Sequence, residues 1–260
     1  MTSSLLYCGD TDLNGAASYL AGLMASWGWF FEYVPSHQKM TTEQITRPRS
    51  LLILSDYPAA QFPADCQQLA LQQIEQGGGL LMIGGWESFH GYGGNWDETP
   101  LGAALPVVIE SQDDRMNFAQ SAWLSPAREH PVTRQLPWLA QPPAIGGMNR
   151  VTAKPGAQTL LNAHSFAVQA NGTSPAPDQT WTFTPAQTFP ALVVGERGLG
   201  RTAAFLSDVA PHWVGGFVDW GMPRVTGQAT NGQAIEVGSD YAQFWKQLLE
   251  WTGRFDPSSR

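Results

Sequence analysis

The chain has 260 residues, with 14 Lys+Arg against 22 Asp+Glu for a formal charge of -8 at pH 7; 43% of positions are apolar and only 14% are charged. Soluble domains average about a quarter charged residues, so disorder is excluded and a sizeable core is expected, in a length that still suits one α/β domain. The acidic balance leaves no basic stripe for a phosphate backbone, which argues against nucleic acid, and no window offers the roughly 18 apolar residues of a membrane span.

The opening MTSSLLYCGD has neither the basic flank nor the apolar stretch of a signal peptide. Two cysteines, Cys8 and Cys66, cannot make a disulfide framework. Both are expected as buried thiols in a reducing cytoplasm.

In chain order, Ser4 to Cys8 reads as a short apolar strand ending at Gly9-Asp10. Leu13, Ala16, Ala17, Leu20, Leu23, Met24 and Trp27 recur at three- and four-residue spacing, which predicts a helix capped by Asp12 and stopped by Gly28. Trp29 to Val34 and Leu51 to Leu54 read as strands, Pro63 to Gln76 as a helix ended by Gly77, and Leu80 to Ile83 as a fourth strand. Apolar runs of four to six residues alternating with helices imply strands covered on both faces. The expected fold is a flavodoxin-like, doubly wound, mostly parallel sheet, in which ligands bind beyond the strands' carboxyl ends.

From about residue 105 to 190 the pattern changes. Leu105 to Glu110, Thr159 to Asn162 and Phe166 to Gln169 are short strand candidates between Pro, Gly and Asn turns, which predicts an antiparallel elaboration. Asn171 to Gln179 reads as a loop. Ala191 to Gly195 and Arg201 to Ser207 form a hairpin-like pair returning to the main sheet. A last helix carries Tyr241, Phe244, Trp245, Leu248 and Leu249 on one face, with Ser239 as its cap, Gly253 as its stop and a frayed tail from Phe255.

Three segments together resemble a known group: Gly77 to Phe89 (GGGLLMIGGWESF), His130 to Thr133 (HPVT) and Gly198 to Asp208 (GLGRTAAFLSD). The chain resembles the class I glutamine amidotransferase-like family over nearly its whole length, including Pro211-His212-Trp213 and the terminal aromatic helix. In active class I amidotransferases a Cys sits on a sharp turn between a strand and a helix, and a His and a Glu follow the last strand. Here that turn is Gly84-Gly85-Trp86, so the nucleophile position falls on Gly85 or Trp86. Neither side chain can attack an amide, and the resemblance implies the fold without cysteine-dependent glutamine hydrolysis.

Parallel strands deliver their following loops to one sheet edge, where Asp10, Asp56, Glu87, Asp208 and His212 are expected. Crowded acidic groups suit a divalent cation or a shared proton, yet no zinc motif exists and no cofactor is expected. His212 reads as a base oriented by Asp208 or Glu87, or Asp208 caps the following turn and His212 packs beside Trp213. Backbone amides near Gly84 and Gly85 are candidate oxyanion donors. Ser88 follows Glu87 without the G-x-S-x-G pattern of a serine hydrolase.

The loop His90 to Pro100, with three glycines and Trp96, reads either as a backbone that approaches a ligand or as a turn-rich surface loop. Trp86, Trp96, Trp213 and Trp220 would form an aromatic wall beside the acidic groups. Such a wall suits a carbohydrate or other small polar ligand, and a homo-oligomer or other protein interface would explain it equally well. The functional expectation is a non-cysteine hydrolase in which Glu87, Asp208 and His212 share acid, base and orienting roles. Its rival is a non-catalytic carbohydrate- or protein-binding module.

Overall fold

The structure is a computed structural model that describes residues 5–172 and 179–255. Its first half alternates strands and helices: β1 (Leu5–Gly9), α1 (Ser18–Ser26), β2 (Phe31–Val34), α2 (Thr42–Thr46), β3 (Leu51–Ser55), α3 (Ala64–Glu75), β4 (Gly79–Ile83) and α4 (Pro100–Ala104). Then come β5 (Val107–Ile109), β6 (Arg115–Pro126), β7 (Ala144–Asn149), β8 (Val151–Ala153), β9 (Gln158–Asn171), β10 (Thr180–Arg197) and β11 (Gly200–Phe205). The chain closes with α5 (Pro211–Val214), β12 (Arg224–Gln228), β13 (Ala234–Gly238) and α6 (Ser239–Gly253).

One 9-stranded sheet runs in the order β2-β1-β3-β4-β11-β10-β9-β6-β7. The strands from β2 to β11 are parallel to one another, and β10, β9, β6 and β7 continue antiparallel. The fold is therefore α/β with a mixed sheet whose core is parallel, and the predicted elaboration extends that sheet. Strand alternation explains how both faces are covered. A Cβ on Gly79 would strike the backbone of Thr252 in α6, whereas one on Gly200 would strike Ile74 of α3. Gly79 pairs with Arg201, the neighbour of Gly200, so α6 and α3 lie on opposite faces.

β1, β3 and β4 are buried along their whole length, as their unbroken apolar runs predict. On the α6 face Phe205, Phe217, Tyr241, Phe244 and Trp245 interlock with ring centroids 5.0–6.4 Å apart. Cys8 and Cys66 are free and buried, and burial pushes both thiols up.

Several expectations shift. The first helix starts at Ser18 rather than beside Asp12. Asp12 instead accepts from the Asn14 N–H at 2.7 Å and opens a turn, since Asp competes for backbone groups in non-helical turns. Gly28 does end that helix, at φ 73°. Ser239 is the first residue of α6 and makes no capping bond, and it is Arg254 that turns left-handed beyond Gly253. Phe255 is held edge-on to Trp29 at 5.1 Å, and residues 256–260 of the expected tail lie outside the described residues. The two short candidates at 159–169 are one long strand, β9. Residues 173–178 of the expected loop also lie outside the described residues. Sequence reasoning missed the β12–β13 hairpin, although Asn231-Gly232 in its loop is a turn signal and Asn231 is left-handed at φ 60°.

Candidate functional site

The tips of β1, β3, β4 and β11 meet at one edge of the sheet. Gly9 pairs with Ser55, so the residues that follow them, Asp10 and Asp56, are neighbours. Both enter the left-handed region, at φ 49° and 48°. This conformation is uncommon outside glycine but is tolerated best by Asp and Asn. It turns both carboxyl groups away from the strand direction and into the cleft.

The turn after β4 is built around Asp56. Its Oδ1 accepts from the Glu87 N–H at 2.6 Å, and its own N–H donates to Ser88 Oγ at 2.9 Å. The space where a side chain at Gly85 would begin is filled by the Asp56 carboxylate, whose atoms lie 2.2–2.3 Å from an ideal Cβ there. An aspartate from the neighbouring strand thus fills the side-chain space at Gly85, one of the two positions expected for the nucleophile.

Asn149, wholly buried at the end of β7, clamps the same turn. Its Oδ1 accepts from the Gly85 N–H at 2.9 Å, and its amide donates to Gly85 O at 3.1 Å and to Asp114 Oδ1 at 2.7 Å. Asp114 in turn accepts from the N–H groups of His90 and Gly91, both at 3.0 Å.

After β11, Asp208 Oδ1 accepts from the Val209 and Ala210 N–H groups at 2.6 and 3.0 Å. Its Oδ2 lies 3.6 Å from His212 Nδ1. Asp208 therefore caps the turn with one oxygen, as one expectation had it, and faces His212 with the other. Trp213 Nε1 donates to Asn117 Oδ1 at 2.9 Å, and the indole lies on Gly147 of β7, where no Cβ could fit. Tyr241 Oη donates to Val209 O and ties this loop to α6.

Asp10, Asp56, Trp86, Asn117, Asp208, His212 and Trp213 line a cavity of about 460 Å³. Its electrostatics follow from crowding and burial. Desolvation, reinforced by Asp56 and Asp208, pushes Asp10 up to about 9. Desolvation and Asp208 push Asp56 up to about 7, against the stabilising Glu87 N–H. The Asp208 carboxylate beside it raises His212, whose side chain is 75% exposed at the rim. Asp56 is thus poised near neutrality. Among the described residues no three His, Cys, Asp or Glu side chains are arranged to hold a metal ion.

The remaining expected residues stand elsewhere. Glu87 meets Asp56 through its backbone N–H, and its carboxylate does not line the cavity. Ser88 is buried as the acceptor for the Asp56 N–H. The Gly84 and Gly85 amides are spent on Phe205 O, Ser207 O and Asn149 Oδ1, so they are not oxyanion donors.

Trp96 is fully buried: its Nε1 donates to Tyr57 O at 2.9 Å and its ring meets Phe62 edge-on. Trp220 is buried against Trp138, with Nε1 on Gln141 O. Two of the four expected wall residues are therefore core, because in each a backbone carbonyl satisfies the indole N–H and lets the ring be buried. The loop from His90 is anchored by Asp114, by Trp96 and by the 2.9 Å contact of His90 with Asp97, which favours its structural reading. Asn117 and Asn149 were missed, since neither sits in a motif and both depend on strand pairings of the antiparallel half.

At the rim, Trp86 is half-exposed and carries the Arg115 guanidinium at 4.4 Å from its ring centroid, with Tyr92 on the same cation at 4.9 Å. Asp113 accepts two bonds from Arg115, at 2.9 and 2.7 Å, which fixes the stack.

Comparison with known proteins agrees with this architecture. The GATase1-like family model, described as "Putative glutamine amidotransferase", matches residues 44–253. A cytoplasmic protein from Salmonella typhimurium is similar in structure, with a TM-score of 0.69 and 22% identity over 95% of this chain and 98% of its own. A second, from Salmonella typhimurium LT2, gives 0.71 and 23% over 96% and 99%. A ThuA-like protein from Parabacteroides merdae gives 0.56 and 11% over 100% and 93%. No curated protein matches the chain. No helix among the described residues is long and apolar enough to cross a membrane.

Proposed function

Because the chain belongs to the GATase1-like family yet carries Gly85 and Trp86 at the nucleophile turn, we propose that it is a non-cysteine hydrolase of a small polar substrate. The observation that carries this reading is Asp56: its carboxylate occupies the space of the missing side chain at Gly85, opens on the cavity, and is held up to about 7. General acid–base catalysis works best with groups that titrate near the working pH. Asp56 meets that condition, and His212, raised above the ordinary histidine value by Asp208, lines the same cavity.

In this reading His212, oriented by Asp208, takes a proton from water as it attacks the substrate, and Asp56 delivers a proton to the leaving group. Asp10 lies behind as a neutral acid, and its burial keeps a further negative charge out of the cavity at neutral pH. Trp86 and Trp213 supply apolar faces for the substrate. Glu87, expected among the acid–base groups, contributes the amide that holds Asp56.

The test is a panel of small amides, esters and glycosides followed by product mass, across pH. Turnover with a bell-shaped profile, reduced at least about 100-fold by Asp56→Asn, is the expected result. No product from any member, or a wild-type rate in Asp56→Asn, overturns it.

A second reading has its own support: two tryptophans flanking carboxylates suit carbohydrate binding without reaction. Sugar binding lost in Trp86→Ala, with no product, would favour that module. The strand order β2-β1-β3-β4-β11 supports assigning the parallel half to the flavodoxin-like group. Similarity to two cytoplasmic proteins supports a cytoplasmic location.

A further inference from the structure

Beyond the sheet edge that carries the cavity, β9 and β10 leave their neighbours and run on as a two-stranded ribbon. β6 pairs with β9 only as far as Trp123 opposite His164, and β11 pairs with β10 only from Leu192 onward. The register within the ribbon sets Phe166 opposite Pro185, Val168 opposite Phe183 and Ala170 opposite Trp181. Opposed residues of a ladder share a face, so these six apolar side chains lie together. Trp123 extends the strip, with its ring 5.1 Å from Phe166.

The other face reads differently. Thr180, Thr182, Thr184, Gln169 and Asn171 lie there, and Asn171 bonds to the hydroxyls of Thr180 and Thr182 at 3.1 and 3.0 Å. One face is polar and satisfies itself, while the other is apolar and open: Trp181 is 57% exposed, Phe183 56% and Trp123 44%. A lone two-stranded hairpin is marginal in water. Exposed edges are ordinarily protected by charged side chains. Between Gln158 and Phe189 the described residues include no Asp, Glu, Lys or Arg.

We propose that the apolar face of the β9–β10 ribbon is the surface through which two copies of this chain form a symmetric dimer. Charge selects this occupant. Two copies that each carry a formal charge of -8 approach most cheaply at a surface free of charge, and the paired strands of this ribbon, over residues 158–171 and 180–189, carry no Asp, Glu, Lys or Arg. The same net charge disfavours an anionic membrane, which recruits basic clusters.

Area bears on the same point. Aromatic side chains bury about 150–250 Å² each, so Trp123, Trp181 and Phe183, about half exposed, offer roughly 300 Å² per copy toward a standard partner surface of ~800 Å². Exposed Ala170 and Pro185, the partly buried Phe166 and Val168, and the backbone extend it. A two-fold axis makes the patch self-complementary.

Sedimentation velocity on the full chain tests the proposal. Wild type is expected to sediment as a dimer at about 10 µM, and Trp181→Ser/Phe183→Ser as a monomer, with the dissociation constant raised about 100-fold or more. Val168→Arg, a charge on the same face, should also dissociate it. Thr184→Lys, on the polar face, should leave the dimer intact. Far-UV circular dichroism identical to wild type establishes that each variant is folded. A monomeric wild type at about 100 µM, a dimer that survives both apolar-face variants, or equal dissociation by Thr184→Lys overturns the proposal.

Discussion

The two halves of the large sheet treat polar side chains in opposite ways. In the parallel half, Asp10 and Asp56 stand at strand tips in left-handed backbone, partly desolvated and beside other carboxylates. In the antiparallel half, Asn149 and Asn117 have partners for what they bring: Asn149 bonds Gly85 and Asp114, and Asn117 holds the Trp213 indole. The parallel half presents chemistry at a cost in stability, and the antiparallel half braces it. Substitutions should therefore change stability with opposite signs in the two halves.

The largest effect is expected at Asn149. Asn149→Ala removes the acceptor of the Gly85 N–H and the donor to Gly85 O and Asp114, all buried. Leaving such groups unpaired costs about 1–3 kcal/mol apiece, and with partial relaxation a loss of about 3 kcal/mol is expected from urea unfolding. An unchanged midpoint would break the comparison at its supporting side.

The opposite sign is expected at Asp10. Its folded-state value, about 9, and that of Asp56, about 7, both lie above the ordinary 3.8. The native state then binds more protons than the unfolded state across that window, so stability falls as pH rises from about 4, through 7 for Asp56 and on to 9 for Asp10. Asp10→Asn removes the share of that slope due to Asp10 and should stabilise the protein by at least ~1 kcal/mol at pH 8, with a smaller gain at pH 5. Denaturant midpoints at the two pH values check it, and equal midpoints for variant and wild type at pH 8 would refute it.

The parallel half was largely legible in the sequence because a strand buried on both faces leaves a continuous apolar run, as Leu51 to Leu54 does, and Asp10, Asp56 and Asp208 after three of the runs mark the cleft. The braces were not legible. Asn149 acts through β7 lying beside the turn after β4, a juxtaposition created by pairings between segments far apart in the chain. Trp96 and Trp86, equally prominent in the sequence, part ways because Tyr57 O is placed to accept one indole while Arg115 stacks on the other. Local pattern does not encode either partner. Gly85 and Trp86 were both read as the nucleophile position, but that Asp56 fills the space at Gly85 depends on the β3–β4 pairing at Ser55 and Ile83.

His212 belongs to the parallel half by position but carries the smallest stability effect, because its side chain is largely exposed. Its folded-state value is raised by Asp208, so the ion pair contributes below the ordinary histidine value of 6.5 and that contribution is lost as pH rises through the raised value. Solvent screening reduces such a contribution to under about 0.5 kcal/mol. His212→Ala should thus leave the melting temperature nearly unchanged at pH 8 and lower it slightly at pH 5, while any turnover loses the acidic limb of its pH profile, where His212 must shed its proton to act as base. His212→Gln should keep the fold and lose that limb too. A large fall in stability at pH 8 would mean that His212 braces the loop after β11 as Asn149 braces the turn after β4, and the division between the two halves would no longer hold at this corner of the cavity.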